Sequence, residues 1–417
     1  MANITFSDGS ANAPYPRSLR RTLQADLELY PVVAVMGARQ VGKSTLCRKL
    51  ATERGFAHRT LDDRDALAQA LDDPEGFLDD LGEKGGFIDE AQRAPGLFLA
   101  IKRIVDRDQR TGRYLLSGSN QPRMSGRVGD SLLGRAAYRT LRPLTLSELR
   151  FDEEHPGWSF LIGESDSGVL RELGRRAQAS GELDWREIAS TGGFPRAVAA
   201  PAEQRSRVLN DYTEVFARRD IRDVIGVESS DRFESFLRLV AARTGQELNY
   251  SGLSADLGIP VNTVRRWVDA LTRSYLIETV QPYSRNVGQR VIKAPKLFMV
   301  DSAFALAAAR DPNPTGFHLE NVVATDLCVW RELGPGRALY HWRLGSGQEV
   351  DFILEESGGL LPVEVKSATD VNSGDARHLR RFLTDHPNAR RGLLLSSDPG
   401  VRILEEGIIA APWWGVL

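Results

Sequence analysis

Val32-Val33-Ala34-Val35-Met36-Gly37-Ala38-Arg39-Gln40-Val41-Gly42-Lys43-Ser44-Thr45 is the stretch that decides the fold. Five apolar residues read as a buried strand, and Gly37 to Ser44 fits G-x-x-x-x-G-K-[ST] directly after it. A helix is expected next, over residues 45–50. Chemistry dictates this order. Glycines let backbone N–H groups fold around phosphate oxygens, and the helix N-terminus adds the positive end of its dipole. Lys43 then reaches the β- and γ-phosphates of a nucleoside triphosphate, and the Ser44 hydroxyl takes a position on Mg²⁺. Gly37, Arg39, Gly42, Lys43, Ser44 and Thr45 are the expected nucleotide-binding residues, with ATP and Mg²⁺ as cofactors.

Outward from this loop, residues 20–145 alternate short apolar runs with helical patterns, which predicts a parallel α/β layer. Gly85-Gly86-Phe87-Ile88-Asp89-Glu90 is an apolar strand ending in two carboxylates. Asp89 is expected at the Mg²⁺ and Glu90 at the attacking water; a helix cap is the plainer alternative. A third strand, Tyr114-Leu115-Leu116, leads into Ser117-Gly118-Ser119-Asn120. Ser119 and Asn120 both qualify to orient water, with Asn120 entered as the catalytic candidate. Arg123, Arg127, Arg135 and Arg142 are candidates for the arginine that stabilises developing charge, with Arg135 preferred. An arginine acting in trans implies a homo-oligomer.

The chain has 417 residues, 54 basic against 56 acidic, and a formal charge of −2. That length predicts two to four domains, and the near-neutral charge confines any basic surface to a local patch. Cys47 and Cys328 are too few for a metal cluster or a disulfide framework, so the cytosol is the expected compartment. No signal-peptide pattern and no 18-residue apolar run is present, so no membrane association is expected. Only seven of the basic residues are lysine: Lys43, Lys49, Lys84, Lys102, Lys293, Lys296 and Lys366. A lysine retained inside a motif is therefore informative.

Residues 150–185 are polar and loop-like, and 187–224 are helical and arginine-rich. Residues 253–267 read as helix, glycine turn at Gly258, and second helix. Asn262, Thr263, Arg265 and Arg266 would face outward, and Arg265 and Arg266 are the expected nucleic-acid contacts. Residues 231–296 hold eight Arg and two Lys against six acids, whereas residues 61–90 hold eleven acids against two bases. DNA is the expected partner of this segment; packing against protein is the alternative.

Strands resume near residue 296. In Glu364-Val365-Lys366 the period of 2 puts Glu364 and Lys366 on one face, with Val363 and Val365 on the other. Asp351 lies thirteen residues earlier, after a turn at Gly345-Ser346-Gly347, and Glu320 begins a helical run. Glu320, Asp351 and Glu364 are the expected second metal site, with Asp351, Glu364 and Lys366 as catalytic candidates for phosphodiester cleavage. An inactive fold with a Glu364–Lys366 ion pair is the alternative. His341, the two cysteines and Trp413-Trp414 read as core.

The segments GARQVGKSTL (37–46), FIDEAQ (87–92), LLSGSN (115–120), SLLGR (131–135) and RPLTLSEL (142–149) recur in a known order. TGGFPRAV (191–198), RRDI (218–221), PKLFMVDSAFA (295–305), EVDFIL (349–354) and PVEVKSA (362–368) continue it. In these the chain resembles predicted AAA-superfamily ATPases of bacteria and archaea with a C-terminal, restriction-endonuclease-like domain of unknown function. The resemblance implies an α/β multidomain chain. An AAA-type P-loop ATPase domain at 1–148 would be followed by a helical linker at 149–230. A winged-helix-like domain at 231–295 and a PD-(D/E)xK nuclease-like domain at 296–417 would complete it. The chain departs from the family pattern at Arg196, where an acid is expected after GGFP, so no role resting on that acid carries over. The function so implied is Mg²⁺-dependent ATP hydrolysis coupled to DNA. The alternative is a nucleotide-dependent binding switch whose nuclease-like domain is inactive.

Overall fold

A strand without polar alternation needs apolar cover on both faces, which a parallel sheet flanked by helices provides. The computed structural model describes residues 15–119, 132–152, 155, 157–217, 230–284, 294–345 and 347–417. It divides into two compact units, one over Pro14–Pro143 and the other over most of Leu144–Leu417.

In the first unit, β1 (Val32–Met36), β2 (Ala57–Thr60), β3 (Gly86–Asp89), β4 (Tyr114–Gly118) and β5 (Ala136–Thr140) form a parallel sheet in the order β2-β3-β4-β1-β5. Every residue of β1, β3 and β4 is buried. The order places β4 between β1 and β3, so the loops after β1 and β3 leave the sheet on either side of the loop after β4. The helix after the glycine-rich loop spans Lys43–Arg54, longer than the 45–50 read from the sequence. It ends at Gly55, whose left-handed φ of 67° lets its N–H close the last turn.

The second unit holds a mixed sheet of nine strands among the described residues. These are β6 (Gln246–Glu247), β7 (Ile277–Pro282), β8 (Lys296–Met299), β9 (Arg337–Arg343), β10 (Glu349–Glu356), β11 (Gly359–Val365), β12 (Gly392–Ser396), β13 (Arg402–Glu405) and β14 (Ile408–Pro412). Their order is β13-β14-β12-β11-β10-β9-β7-β8-β6. The expected boundary at residue 295 falls inside this sheet: β8 pairs antiparallel with β6 and β7, and β7 pairs with β9. The expected boundary at 148 likewise lies a few residues beyond the division at Pro143.

Helices Ser230–Ala242, Tyr250–Leu257 and Val261–Arg273 interleave with β6, β7 and β8. Farther on, helix Gly316–Glu332 precedes the meander β9-β10-β11, and helix Arg377–Asp385 leads to β12, parallel to β11. The main core of this unit gathers Trp158, Trp330, Val363, Val365, Trp413 and Trp414. Cys47 in the first unit and Cys328 in this one are buried, as are Trp413 and Trp414. No described helix is long and apolar enough to cross a membrane.

One buried charge pair ties residues 155–158 to the helix Gly316–Glu332. His155 Nε2 lies 3.1 Å from Asp326 Oδ2, and Trp158 Nε1 donates to Asp326 Oδ1 at 2.8 Å. Burial opposes the imidazolium, but the Asp326 carboxylate outweighs it and holds the His155 pKa above its usual 6.5. A raised folded-state pKa contributes stability fully below about pH 6.5 that is lost as pH rises through the folded value. Thermal denaturation of wild type between pH 6 and 9 should show this loss. In Asp326→Asn the His155 contribution should vanish or change sign; an unaltered pH slope would refute the pairing.

Candidate functional site

The loop after β1 is shaped by backbone before side chains enter. Gly37 has φ 150°, and a Cβ there would collide with the Leu141 carbonyl oxygen. Gly42 precedes the helix with φ 97°, where only glycine sits without strain. Lys43 is buried, and its ammonium donates to the carbonyls of Gly37 at 3.0 Å and Ala38 at 2.8 Å. Burial lowers its pKa to about 8, partly opposed by Glu90 and Asp89. Ser44 and Thr45 occupy the first turn of the helix, and Arg39 lies exposed on the loop.

Asp89 ends β3 and is buried. The Ser44 hydroxyl donates to Asp89 Oδ1 at 3.0 Å, and the Ser117 hydroxyl donates to the same oxygen. The expected Mg²⁺ pair thus meets in the fold. Their hard oxygen atoms suit Mg²⁺, which prefers carboxylate and hydroxyl ligands. Glu90 takes a left-handed φ of 56°, unusual for a side-chain-bearing residue, which turns its carboxylate off the strand line. Its Oε2 accepts from Gln92 Nε2 and, at 3.3 Å, from the Ser119 hydroxyl. A Cβ on Gly118 would lie 2.7 Å from Gln92 Oε1, so the glycine leaves room for Gln92 over β4.

Ser119 reaches Glu90 as expected; Asn120, Arg123 and Arg127 lie outside the described residues. Arg135 sits before β5 and pairs in two places with Asp106 of its own chain, one of them at 3.0 Å. Arg142 is buried. Ser117 and Gln92 were not singled out from sequence. Position at the end of β4 was the available signal for Ser117, whereas Gln92 depends on the strained turn at Glu90.

In the second unit the expected carboxylates converge, but around a lysine. Lys296 in β8 is almost fully buried, and its Nζ lies 2.9 Å from Glu320 Oε2, 2.9 Å from Glu349 Oε1 and 2.8 Å from Asp351 Oδ1. Burial alone would lower its pKa, yet Asp351, Glu320 and Glu349 together hold it well above the usual lysine value. The register of β10 against β9 shifts between Val350 and Ile353, and this irregularity contains Asp351. Asp351 Oδ2 accepts from Val365 N–H at 2.9 Å, which ties β10 to the end of β11. Glu364 is buried, Lys366 Nζ donates to its Oε1 at 2.6 Å, and its Oε2 has no hydrogen-bond partner. Burial and then the Asp351 charge raise the Glu364 pKa to about 8; burial and Asp351 do the same for Glu320. His341 is buried on β9, with its pKa lowered to about 4 by burial and the Lys296 charge.

This arrangement does not fit the expected second metal site. Among the described residues no group of three or more His, Cys, Asp or Glu is placed to hold a metal ion. The oxygens of Glu320 and Asp351 that would serve one already accept from Lys296. Lys296 and Glu349 were not among the sequence candidates. The scarcity of lysine was the one signal for Lys296.

Arg265 and Arg266 are exposed on helix Val261–Arg273, and the Arg265 guanidinium lies 4.4 Å from the Tyr250 ring centroid.

Residues 29–150 match the model of the AAA domain, and the segment is an AAA-type nucleotide-binding domain. Residues 182–315 and 315–414 match two domains of unknown function, DUF8612 and DUF4143. An uncharacterized protein of Mycobacterium tuberculosis is 27% identical over 407 residues, covering 95% of this chain and 83% of that one. An uncharacterized protein of Haemophilus influenzae is 24% identical over 272 residues, covering 64% of this chain and 62% of that one. Among solved structures, the Walker-type ATPase of Pyrococcus abyssi aligns with 72% of this chain and 99% of its own, at 17% identity and a TM-score of 0.39. That score is too low to carry an argument.

Helix Gly316–Glu332 is held beside Lys296 by Asn321, which is buried. Its Nδ2 donates to the Met299 carbonyl at 2.9 Å, and its Oδ1 accepts from Met299 N–H at 3.1 Å. Asn321→Leu leaves two buried backbone groups of β8 without this partner, which should cost about 1–3 kcal/mol. Chemical denaturation measures it; a change under about 0.3 kcal/mol would show that the clamp is replaceable.

Proposed function

We propose that this chain hydrolyses ATP at its AAA-type domain and uses the cycle to control a nucleic-acid- or protein-contacting second unit. The observation that carries the reading is the joint geometry of Lys43, Ser44, Asp89 and Glu90 at the ends of β1 and β3. Lys43 is held by two loop carbonyls, and incoming phosphate oxygens offer its ammonium a charged partner in their place. Backbone N–H groups from Gly37 to Ser44 bind the remaining phosphate oxygens. Mg²⁺, when bound, supplies charge neutralisation at the phosphates, and Ser44 and Asp89 are the residues that would hold it. Ser117 orients the Asp89 carboxylate. Glu90 is the base for the attacking water, and Gln92 and Ser119 fix which way its carboxylate points. Arg135 would have to leave Asp106 before serving a neighbouring copy, so the trans role and the homo-oligomer rest on exchange of that ion pair.

The helix–strand–helix–helix–strand–strand order over residues 230–299, with the strand order β7-β8-β6, supports a winged-helix reading. Arg265 and Arg266 then lie on its second helix of the turn, where they would contact DNA phosphates. The order helix, three antiparallel strands, helix, parallel strand over residues 316–396 supports a nuclease-like ancestry. The Lys296 ammonium among the carboxylates favours a domain that binds without cleaving.

Two measurements test this. Lys43→Ala should lower ATP turnover by roughly 10²–10³, whereas Glu90→Gln should lose turnover and keep nucleotide binding. Turnover undiminished in Lys43→Ala would place hydrolysis elsewhere. Wild-type protein with plasmid DNA and Mg²⁺ or Mn²⁺, with and without ATP, should leave the DNA intact. Nicking that disappears in Glu364→Ala would instead establish the domain as a nuclease.

A further inference from the structure

The second unit puts four carboxylates, Glu320, Glu349, Asp351 and Glu364, into one largely buried region with two ammonium groups, Lys296 and Lys366. Three of the four meet at Lys296, each within 2.9 Å of Nζ, and they arrive from separate places: helix Gly316–Glu332, the first residue of β10 and its third. Oxygen atoms converging from several elements on one positive centre form the kind of shell that hard divalent cations take. Glu364 adds a buried oxygen, Oε2, without a hydrogen-bond partner. Lys296 itself reaches this place from β8, a strand held between β7 and β6. Asn321 fixes the neighbouring Met299 backbone and so sets the depth of β8 against the helix that carries Glu320.

We infer that Lys296 is a built-in counter-ion standing where a divalent cation would otherwise bind, and that removing its ammonium opens a divalent-cation site made by Glu320, Glu349 and Asp351. The inference deepens the reading of this unit as a non-cleaving, nuclease-like domain and rests on it. Without Lys296 the four carboxylates face one ammonium, that of Lys366, which already donates to Glu364. Mutual repulsion in a buried setting is then relieved by a small cation with oxygen preference or by taking up protons. The wild-type chain needs neither, because the charge is covalently attached and always present.

The test uses nucleotide-free, chelator-stripped full-length protein, with Mn²⁺ as the probe counted by electron paramagnetic resonance. Wild type should show no Mn²⁺ site that depends on Asp351, as judged against Asp351→Asn. Lys296→Ala should gain one Mn²⁺ per chain, and Lys296→Ala with Asp351→Asn should lose it again. An Asp351-dependent Mn²⁺ in wild type overturns the inference, as does a folded Lys296→Ala that gains none. Should Lys296→Ala fold poorly, Mn²⁺ should restore its cooperative thermal transition while leaving wild type unmoved; no restoration overturns the inference equally. Plasmid nicking reports separately on the non-cleaving reading. Nicking by wild type together with Mn²⁺ gain only in Lys296→Ala would overturn that reading and leave the counter-ion assignment standing.

Discussion

A lysine ammonium taken out of water must find oxygen atoms at hydrogen-bond distance, and the surrounding chain must hold them there. Two lysines impose this constraint here, one in each compact unit. Lys43 meets it with main-chain carbonyls of its own loop, Gly37 and Ala38. Lys296 meets it with side-chain carboxylates from a helix and a strand far apart in sequence. The difference sets what each place can do. Carbonyl partners are neutral, so phosphate oxygens compete well for Lys43. Carboxylate partners carry full charge, so nothing neutral displaces Lys296.

Around Lys43, backbone conformation carries most of the positioning. Gly37 and Gly42 adopt values of φ open to glycine, and Glu90 accepts strain to swing away from β3. The strain at Glu90 is compensated by hydrogen bonds from Gln92 and Ser119, and Gly118 keeps space for Gln92. The result is a carboxylate pair with separated duties. Asp89 is held by hydroxyls from the P-loop helix and β4, and Glu90 is held by groups on the far side of the turn.

Around Lys296, the same job falls to tertiary pairing. A register irregularity in β10 carries Asp351, the Val365 N–H fixes its second oxygen, and Asn321 locks the helix of Glu320 to β8. Sheet continuity through β7 makes the helix-rich segment and the C-terminal strands one body of hydrogen bonds. A boundary drawn between them at residue 295 cuts through paired strands, because composition changes there while pairing does not.

Sequence alone determined the P-loop and its strand. Val32–Met36 is the strand in the structure, and Ser44 and Asp89 meet as their spacing required. Such features are local: a run of apolar residues, glycines at fixed offsets, a strand ending in carboxylates. It also marked Glu320, Asp351, Glu364 and Lys366, and the same-face pairing of the last two follows from the two-residue period of a strand. What it did not determine is the centre on which Glu320 and Asp351 converge. Lys296 lies 55 residues from Asp351 and 24 from Glu320, and no periodicity links them. Only the antiparallel pairing of β8 and the packing of helix Gly316–Glu332 bring that ammonium among the carboxylates, because long-range contacts are set by tertiary packing and leave no trace in local spacing.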